Sequence, residues 1–310
     1  MMLFPLRLAA LTAVALILNG TAPAAVPRYD HIFVIVDENK DLNRIVGRPV
    51  APAINAAATA YGYASHYDAV AHPSEPNYVA LVGGDTFGIR DDGPFTKNAV
   101  DAPSIAAQLD AAHLTWKGYY EDIPAPGSLA TTAGLYASKH SGFLNFTGVQ
   151  HDPQRAAHLV GFDQFERDTA SNRLPNFALI VPNLCNDMHG AWGSGVPSNC
   201  WPTNTSSLIA RGDSAFKAIV DRLTATPLWK SSANVAIVLV FDEDDGGGTE
   251  GGGGRVPAIV MANHGPRKVV DDTPYTHYSL LRTIEEAFGL ASLGHAQEAT
   301  PMTQLFSTSP

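Results

Sequence analysis

Two apolar runs dominate the hydrophobic pattern of this chain. His31-Ile32-Phe33-Val34-Ile35-Val36 and Val235-Ala236-Ile237-Val238-Leu239-Val240-Phe241 contain no Asp, Glu, Lys or Arg and are rich in β-branched residues, as in strands buried on both faces. Each run breaks abruptly into acid. Asp37-Glu38-Asn39 follows the first, and Asp242-Glu243-Asp244-Asp245-Gly246-Gly247-Gly248 follows the second. Strands are expected over 31–37, 65–70, 114–119, 177–182, 234–241 and 256–262, and helices over Pro52–Tyr61, Ala102–Ala112, Asp213–Thr224 and His277–Phe288. The last helix carries Leu280, Leu281, Ile284 and Phe288 on one face, a helical apolar stripe. This alternation predicts an α/β sandwich around a mostly parallel sheet. No repeat is visible, and no linker divides the chain. The glycine-rich stretch 246–254 interrupts a strand-loop-strand unit and reads as a flexible loop beside the acidic rim.

In open α/β sheets, ligands bind outside the carboxyl ends of the strands. Four adjacent carboxylates at such an end repel one another unless a cation sits among them. If the two apolar strands are neighbours, both acidic ends meet at one rim, which points to a metal site rather than to two solvated loops. A third feature is His72-Pro73-Ser74-Glu75-Pro76-Asn77-Tyr78. Pro76 suits the first turn of a helix, placing Ser74 at or near the N-cap, where free N–H groups favour an anion. Ser74 either caps this helix or, with a cation nearby, becomes a nucleophile toward phosphorus. Asn77, one turn on, is a candidate donor to a phosphoryl oxygen.

Two weaker constellations add histidines. Asp187 and His189 follow the strand ending at Val181, where they can share a metal or work as an oriented proton-transfer pair. His277 opens the last helix, a poor place for a cation, and is expected to be neutral. Lys139 and His140 are candidate donors to phosphate oxygens. Glu121 and Asp122 read equally well as solvated loop residues.

Composition narrows the setting. The chain has 310 residues, 45% of them hydrophobic, enough for one large core or two modest ones. Arg7, the apolar run Leu8 to Leu18 and Ala22-Pro23-Ala24 read as a secretory signal over residues 1–24, leaving 25–310 as one domain. The apolar run is too short to span a bilayer comfortably, so no transmembrane anchor is expected after cleavage. The formal charge of −10 becomes −11 on losing Arg7, which argues against nucleic acid as a partner. Secreted or periplasmic placement permits a disulfide between the only cysteines, Cys185 and Cys200, with two free buried thiols as the other reading.

Taken in order, Glu38-Asn39, His72 to Tyr78, Pro182-Asn183 with Asn186 to His189, Asp242 to Gly246 and His277-Tyr278 resemble the phosphoesterase family of bacterial acid phosphatases and phospholipases C. The resemblance covers roughly 30–290 and implies an alkaline-phosphatase-like three-layer α/β/α sandwich. It implies metal ligands at Glu38, Asn39, Ser74, Asp242 and Glu243, with Ser74 also the nucleophile. Asp187, His189 and His277 match positions serving a second metal or the leaving group, and Asn39, Asn77 and His140 are expected to meet the substrate phosphate. An all-oxygen ligand set suits Ca²⁺, Mg²⁺ or Mn²⁺ better than zinc. The expected activity is a metal-dependent phosphomonoesterase acting on a small phosphate ester or a phospholipid headgroup. A phospholipase C-type phosphodiesterase and an exported phosphate- or metal-binding protein without turnover are the alternatives. The sequence is silent on oligomeric state.

Overall fold

The computed structural model describes residues 25–246 and 252–307; the expected signal segment, 1–24, lies outside them. Eight strands form the central sheet: β1 (His31–Asp37), β2 (Gly62–Ala64), β3 (Trp116–Tyr120), β4 (Leu159–Val160), β5 (Phe177–Val181), β6 (Val235–Phe241), β7 (Ala258–Ala262) and β8 (Val269–Asp271). Their spatial order is β8-β2-β7-β6-β1-β5-β3-β4. Only β7 among them runs antiparallel to its neighbours, β2 and β6. Every residue of β5, β6 and β7 is buried, as are all but the first of β1. Their continuous apolar runs therefore suit interior strands covered on both sides.

Six principal helices surround the sheet: α1 (Pro52–Ala60), α2 (Ser74–Gly83), α3 (Ile105–Ala111), α4 (Phe162–Ala170), α5 (Thr205–Ala225) and α6 (His277–Phe288). Helix α1 packs on α5, and α2 packs on α6. Buried Asp213 of α5 accepts from the N–H groups of Ala53 and Ile54 at 3.1 and 2.8 Å, satisfying two of the unpaired donors at the start of α1. Helix α6 begins with a reciprocal capping box between Thr276 and Ser279, and ends at Gly289 in the left-handed region.

Two expectations need correction. The strand expected over 65–70 is split: Gly62–Ala64 joins the large sheet, while Tyr67–Asp68 pairs with Tyr275–Thr276 in a separate two-stranded ladder. The helix expected from Asp213 begins eight residues earlier, at Thr205. Its first half carries serines and a glycine, poor helix formers. Packing overrides propensity here, since a Cβ on Gly212 would lie 2.4 Å from the Met188 side chain, so glycine lets the helix approach that loop.

Glu285 of α6 is fully buried; one carboxylate oxygen accepts from Leu293 N–H at 2.9 Å and the other has no hydrogen-bond partner. Burial raises its pKa from 4.5 to about 7. The folded chain thus keeps a proton that the unfolded chain releases above its lower pKa, so this contribution to stability is lost as pH rises from 4.5 to about 7. Glu285→Gln is expected to stabilise the fold by about 1–2 kcal/mol near pH 8 and hardly at all near pH 4. Urea midpoints at both pH values check this; an equal gain at both would contradict it.

Candidate functional site

Strands β6, β1, β5 and β3 are adjacent and parallel, and their carboxyl ends deliver the polar residues to one rim. Asp37 and Phe241 are in register, and Asp242 N–H donates to Asp37 O at 3.0 Å, so the two acidic ends meet as expected. Glu38 N–H donates to Asp187 O at 2.7 Å, which ties the loop after β5 to the same point. Behind it, Glu121 after β3 accepts from Asn183 N–H and from the Asn186 amide. It is therefore a support for the 183–186 turn, not a solvated loop residue.

Ser74 is the first residue of α2 and is 1% exposed. It makes no capping bond. Its Oγ instead lies 3.0 Å from Glu38 Oε2 and 3.1 Å from Glu243 Oε1. One hydroxyl proton cannot serve two carboxylates, so a second positive centre is called for. The Asn39 amide donates to Glu243 at 2.8 Å and its backbone N–H to Asp242 Oδ1 at 3.0 Å. Tyr78, one turn after Ser74 on the same helical face, donates its hydroxyl to Glu38 Oε1 at 2.5 Å. His72 pairs with Glu243 and stands 3.5 Å from Asp244. Neither His72 nor Tyr78 was assigned a role from sequence, although both stand in the motif around Ser74.

The charges fit a cation. Asp37, Glu38, Asp187, Asp242, Glu243 and Asp244 are all 5% exposed or less. Both oxygens of Asp37 and one each of Asp187, Asp242 and Asp244 have no hydrogen-bond partner. Burial, reinforced by the Asp187 charge, pushes Glu38 up to about 8, and burial drives Asp37, Asp187 and Asp242 well above the usual carboxylate range. Lys40 and Lys139 are the basic chains facing them. Burial lowers Lys40, while at Lys139 the carboxylates of Glu38 and Asp92 outweigh burial and raise it. A buried acidic excess of this kind is what a divalent cation relieves. Glu38, Asn39, Ser74, Asp242 and Glu243, the ligands expected from sequence, are linked to one another at this rim by the contacts above. Glu38, His140 and His189 also converge, with one ligand atom from each within 4.8 Å of the others, so nitrogen ligands are at hand too.

Three of the expected roles change. Asn77 does not face a substrate: its Oδ1 accepts from Val70 and Ala71 N–H at 3.1 Å each, and its Nδ2 donates to Ala71 O and Pro73 O at 2.8 and 3.2 Å. It holds the loop that presents Ser74. Asn77→Ala would strand two backbone donors and is expected to cost about 2–3 kcal/mol of stability. A thermal melt checks this, and an unchanged melting temperature would contradict it. His277 is buried, with Nδ1 3.1 Å from the Tyr67 hydroxyl and Nε2 2.7 Å from Asp242 O. Both ring nitrogens are taken, leaving none for a leaving group. As expected it favours the neutral form, because burial lowers its pKa to about 4. His140 is 2% exposed rather than open to substrate. It stacks on Tyr78 and lies 3.2 Å from Glu38 and 3.4 Å from Asp187.

A cleft of about 310 Å³ opens at this rim, lined by Asn39, Lys40, His72, His189, Pro202, Thr205 and residues 243–246; Ser74 lies behind Asn39 and Glu243 rather than on its surface. Asp187 Oδ1 accepts from His189 N–H at 2.8 Å, and His189 Nδ1 lies 2.7 Å from Gly190 O. If Nδ1 carries the ring proton to that carbonyl, Nε2 is an acceptor, and the Lys139 ammonium stands 3.4 Å from it. Pro202 and Thr205 follow directly on a loop closed by a disulfide between Cys185 and Cys200, whose Cα atoms are 5.1 Å apart.

Known proteins resemble this chain in sequence and in fold. The phosphatidylinositol-3-phosphatase of Mycobacterium tuberculosis is 33% identical over 288 residues, which cover 93% of this chain and 86% of the relative. An acid phosphatase of Aspergillus fumigatus is 32% identical over 74% of this chain, which spans 49% of that longer protein. Among solved structures, an alkaline phosphatase superfamily protein from Vibrio parahaemolyticus superposes with a TM-score of 0.58 at 11% identity, covering 86% of this chain and 69% of that one. The phosphonate monoester hydrolase of Agrobacterium radiobacter gives 0.58 at 12% identity, covering 91% and 78%. The fold is therefore alkaline-phosphatase-like. The sequence profile of the phosphoesterase family matches residues 48–291, and the chain belongs to that family.

Proposed function

We propose that this phosphoric ester hydrolase is an exported phosphomonoesterase, an acid phosphatase that uses Ser74 as nucleophile and passes through a phosphoserine. The placement of Ser74 carries the reading: a buried serine that leaves its own helix uncapped and directs its Oγ between two buried carboxylates. A divalent cation held by Glu38, Asn39, Asp242 and Glu243 would lower the hydroxyl pKa and neutralise phosphate charge. Ser74 passes its hydroxyl proton to one of the two carboxylates beside it, Glu38 or Glu243, as Oγ attacks phosphorus in line with the ester oxygen; the P–O ester bond breaks and the departing alkoxide takes a proton from protonated His189. Water then gives its proton to His189 as it attacks the phosphoserine, the P–Oγ bond breaks, inorganic phosphate leaves, and Oγ takes its proton back from the carboxylate. His189 is the side chain we assign to the leaving alcohol and the attacking water, since it lines the cleft while Asp187 fixes its backbone and Gly190 its ring. Lys40 and Lys139 supply positive charge for the phosphate oxygens.

Export rests on the signal-like segment 1–24 and accords with a disulfide-bonded chain. Among the described residues, no helix is long and apolar enough to cross a membrane. The name of the mycobacterial relative brings phosphorylated phosphoinositides in as candidate substrates.

A substrate panel tests the reading. Phosphate release from p-nitrophenyl phosphate with no headgroup release from phosphatidylcholine is the expected result. Headgroup release alone would make the enzyme a phosphodiesterase. Stoichiometric phosphate binding with no hydrolysis of either would leave a binding protein.

A further inference from the structure

The segment that brings Pro202 and Thr205 to the cleft exposes two tryptophans without a charge beside them in sequence. From Gly190 to Ala210 there is no Asp, Glu, Lys or Arg, in a protein whose formal charge is −10. Within it, Trp192 is 62% exposed and Trp201 39% exposed. Their rings lie 5.7 Å apart at 35°, forming one continuous aromatic surface. The pair is held in place. Cys185 and Cys200 are fully buried, Leu208 packs on them, and the Trp201 indole N–H donates to Val196 O at 3.3 Å. Pro202, next to Trp201, lines the cleft that also contains Asn39 and Glu243.

Exposing two indoles on a braced loop is unfavourable in water unless something covers them. An apolar body with one polar N–H is the side-chain type that settles at the boundary between lipid headgroups and acyl chains. The missing charges matter equally. A lysine or arginine fringe would point to an anionic lipid surface or to phosphates, and an acidic fringe to a cationic partner. An uncharged aromatic tip fits a zwitterionic surface.

We propose that the Trp192–Trp201 tip is an interfacial anchor, which seats the enzyme on a zwitterionic lipid surface and so presents the cleft to phosphate monoesters carried by lipids. This rests on the phosphomonoesterase reading and narrows its substrate class. Phosphate esters free in solution need no anchor, so the two kinds of substrate are predicted to separate under mutation of the tip.

The test uses Trp192→Ser/Trp201→Ser in the full chain, with Trp192→Ala alone as a second variant, because that more exposed ring contributes less to the fold. With phosphatidylcholine vesicles carrying no monoester, the wild type is expected to co-float and its tryptophan emission to shift to the blue; both signals are expected to fall about fivefold or more in the variants. This arm reads the anchor without any catalysis. With phosphatidylcholine vesicles containing about 5 mol% phosphatidic acid, the variants are expected to lose about tenfold in turnover through a higher apparent KM for bulk lipid, while p-nitrophenyl phosphate turnover stays within about twofold. The proposal is overturned if the wild type stays in the aqueous fraction, or if the variants float as well as the wild type. Loss of vesicle and soluble activities in parallel overturns it also. Retardation on immobilised glycans without vesicle binding would assign the aromatic surface to sugars instead, and would likewise overturn it. Vesicle binding that depends on the tryptophans, with neither ester hydrolysed, would uphold the anchor while refuting the phosphatase reading.

Discussion

Ser74→Ala is expected to reduce phosphate release from p-nitrophenyl phosphate by about a thousandfold or more, a loss of at least about 4 kcal/mol of transition-state stabilisation. The fold should survive. Ser74 makes no capping bond, and alanine is a better helix former. The change also removes a hydroxyl wedged between Glu38 and Glu243 without opening a large cavity. A melting temperature within a few degrees of wild type would therefore accompany the lost activity. Rapid acid quench during turnover of a ³²P-labelled ester supplies an independent readout: the wild type should carry label on Ser74 and the variant none. Residual activity above a tenth of wild type would remove Ser74 as nucleophile, whatever the labelling shows.

Removal of bound cation is expected to have the second largest effect, with activity falling about a hundredfold or more after exhaustive chelation. The buried carboxylates supply the physical reason. Without a cation, Glu38, Asp187 and Asp242 are driven toward their neutral forms, and Ser74 keeps its proton. Returning a bound cation at about a hundred times its Kd should stabilise the fold by about 2.7 kcal/mol, seen as a rise of several degrees in melting temperature. That shift is measured without turnover. Glu38→Gln should lose most of it, since Glu38 belongs to both candidate ligand sets. His140→Ala discriminates between them: an oxygen-only site keeps the shift and prefers Mg²⁺, Mn²⁺ or Ca²⁺, whereas a site using Glu38, His140 and His189 loses it and accepts Zn²⁺. An apo protein that melts identically with and without every cation tested, and that keeps its activity after chelation, would refute the metal requirement.

The sequence carries the sheet and the acidic rim because both depend on short-range patterns. Continuous β-branched runs predict interior strands, and the register of β1 with β6 then brings Glu38 and Asp242 together. Where long-range packing decides, the sequence is poorer. The first half of α5 is helical because Leu208 and Ile209 are buried and Gly212 admits Met188, facts that propensity opposes. Asn77 and His277 illustrate another limit. Both are polar residues at helical positions beside chemistry, and only the structure shows their polar atoms already bonded to the loop 70–73, to Tyr67 and to the carbonyl of Asp242. His140 reads in the sequence as a donor to phosphate oxygens because sequence does not report that it is walled in between Tyr78, Glu38 and Asp187. His72 escaped assignment for the opposite reason, since its partners, Glu243 and Asp244, stand about 170 residues away.

The antiparallel strand of the central sheet, β7, starts at the rim, and ahead of it Asp244 N–H donates to Gly253 O at 2.9 Å and Gly253 N–H to Ala69 O at 3.2 Å. Gly254 sits at a φ of +79°, where any Cβ would lie 2.0 Å from an Asp244 carboxylate oxygen. Residues 252–254 are thus wedged between the second acidic strand end and the residues leading to Ser74: a Cβ at 252 would meet Val70 O at 2.7 Å, one at 253 Ala71 O at 2.4 Å, and one at 254 Asp244. For anyone reshaping this enzyme, three consecutive positions therefore admit no side chain, and a single methyl group there disturbs either the acidic strand end or the approach to the nucleophile.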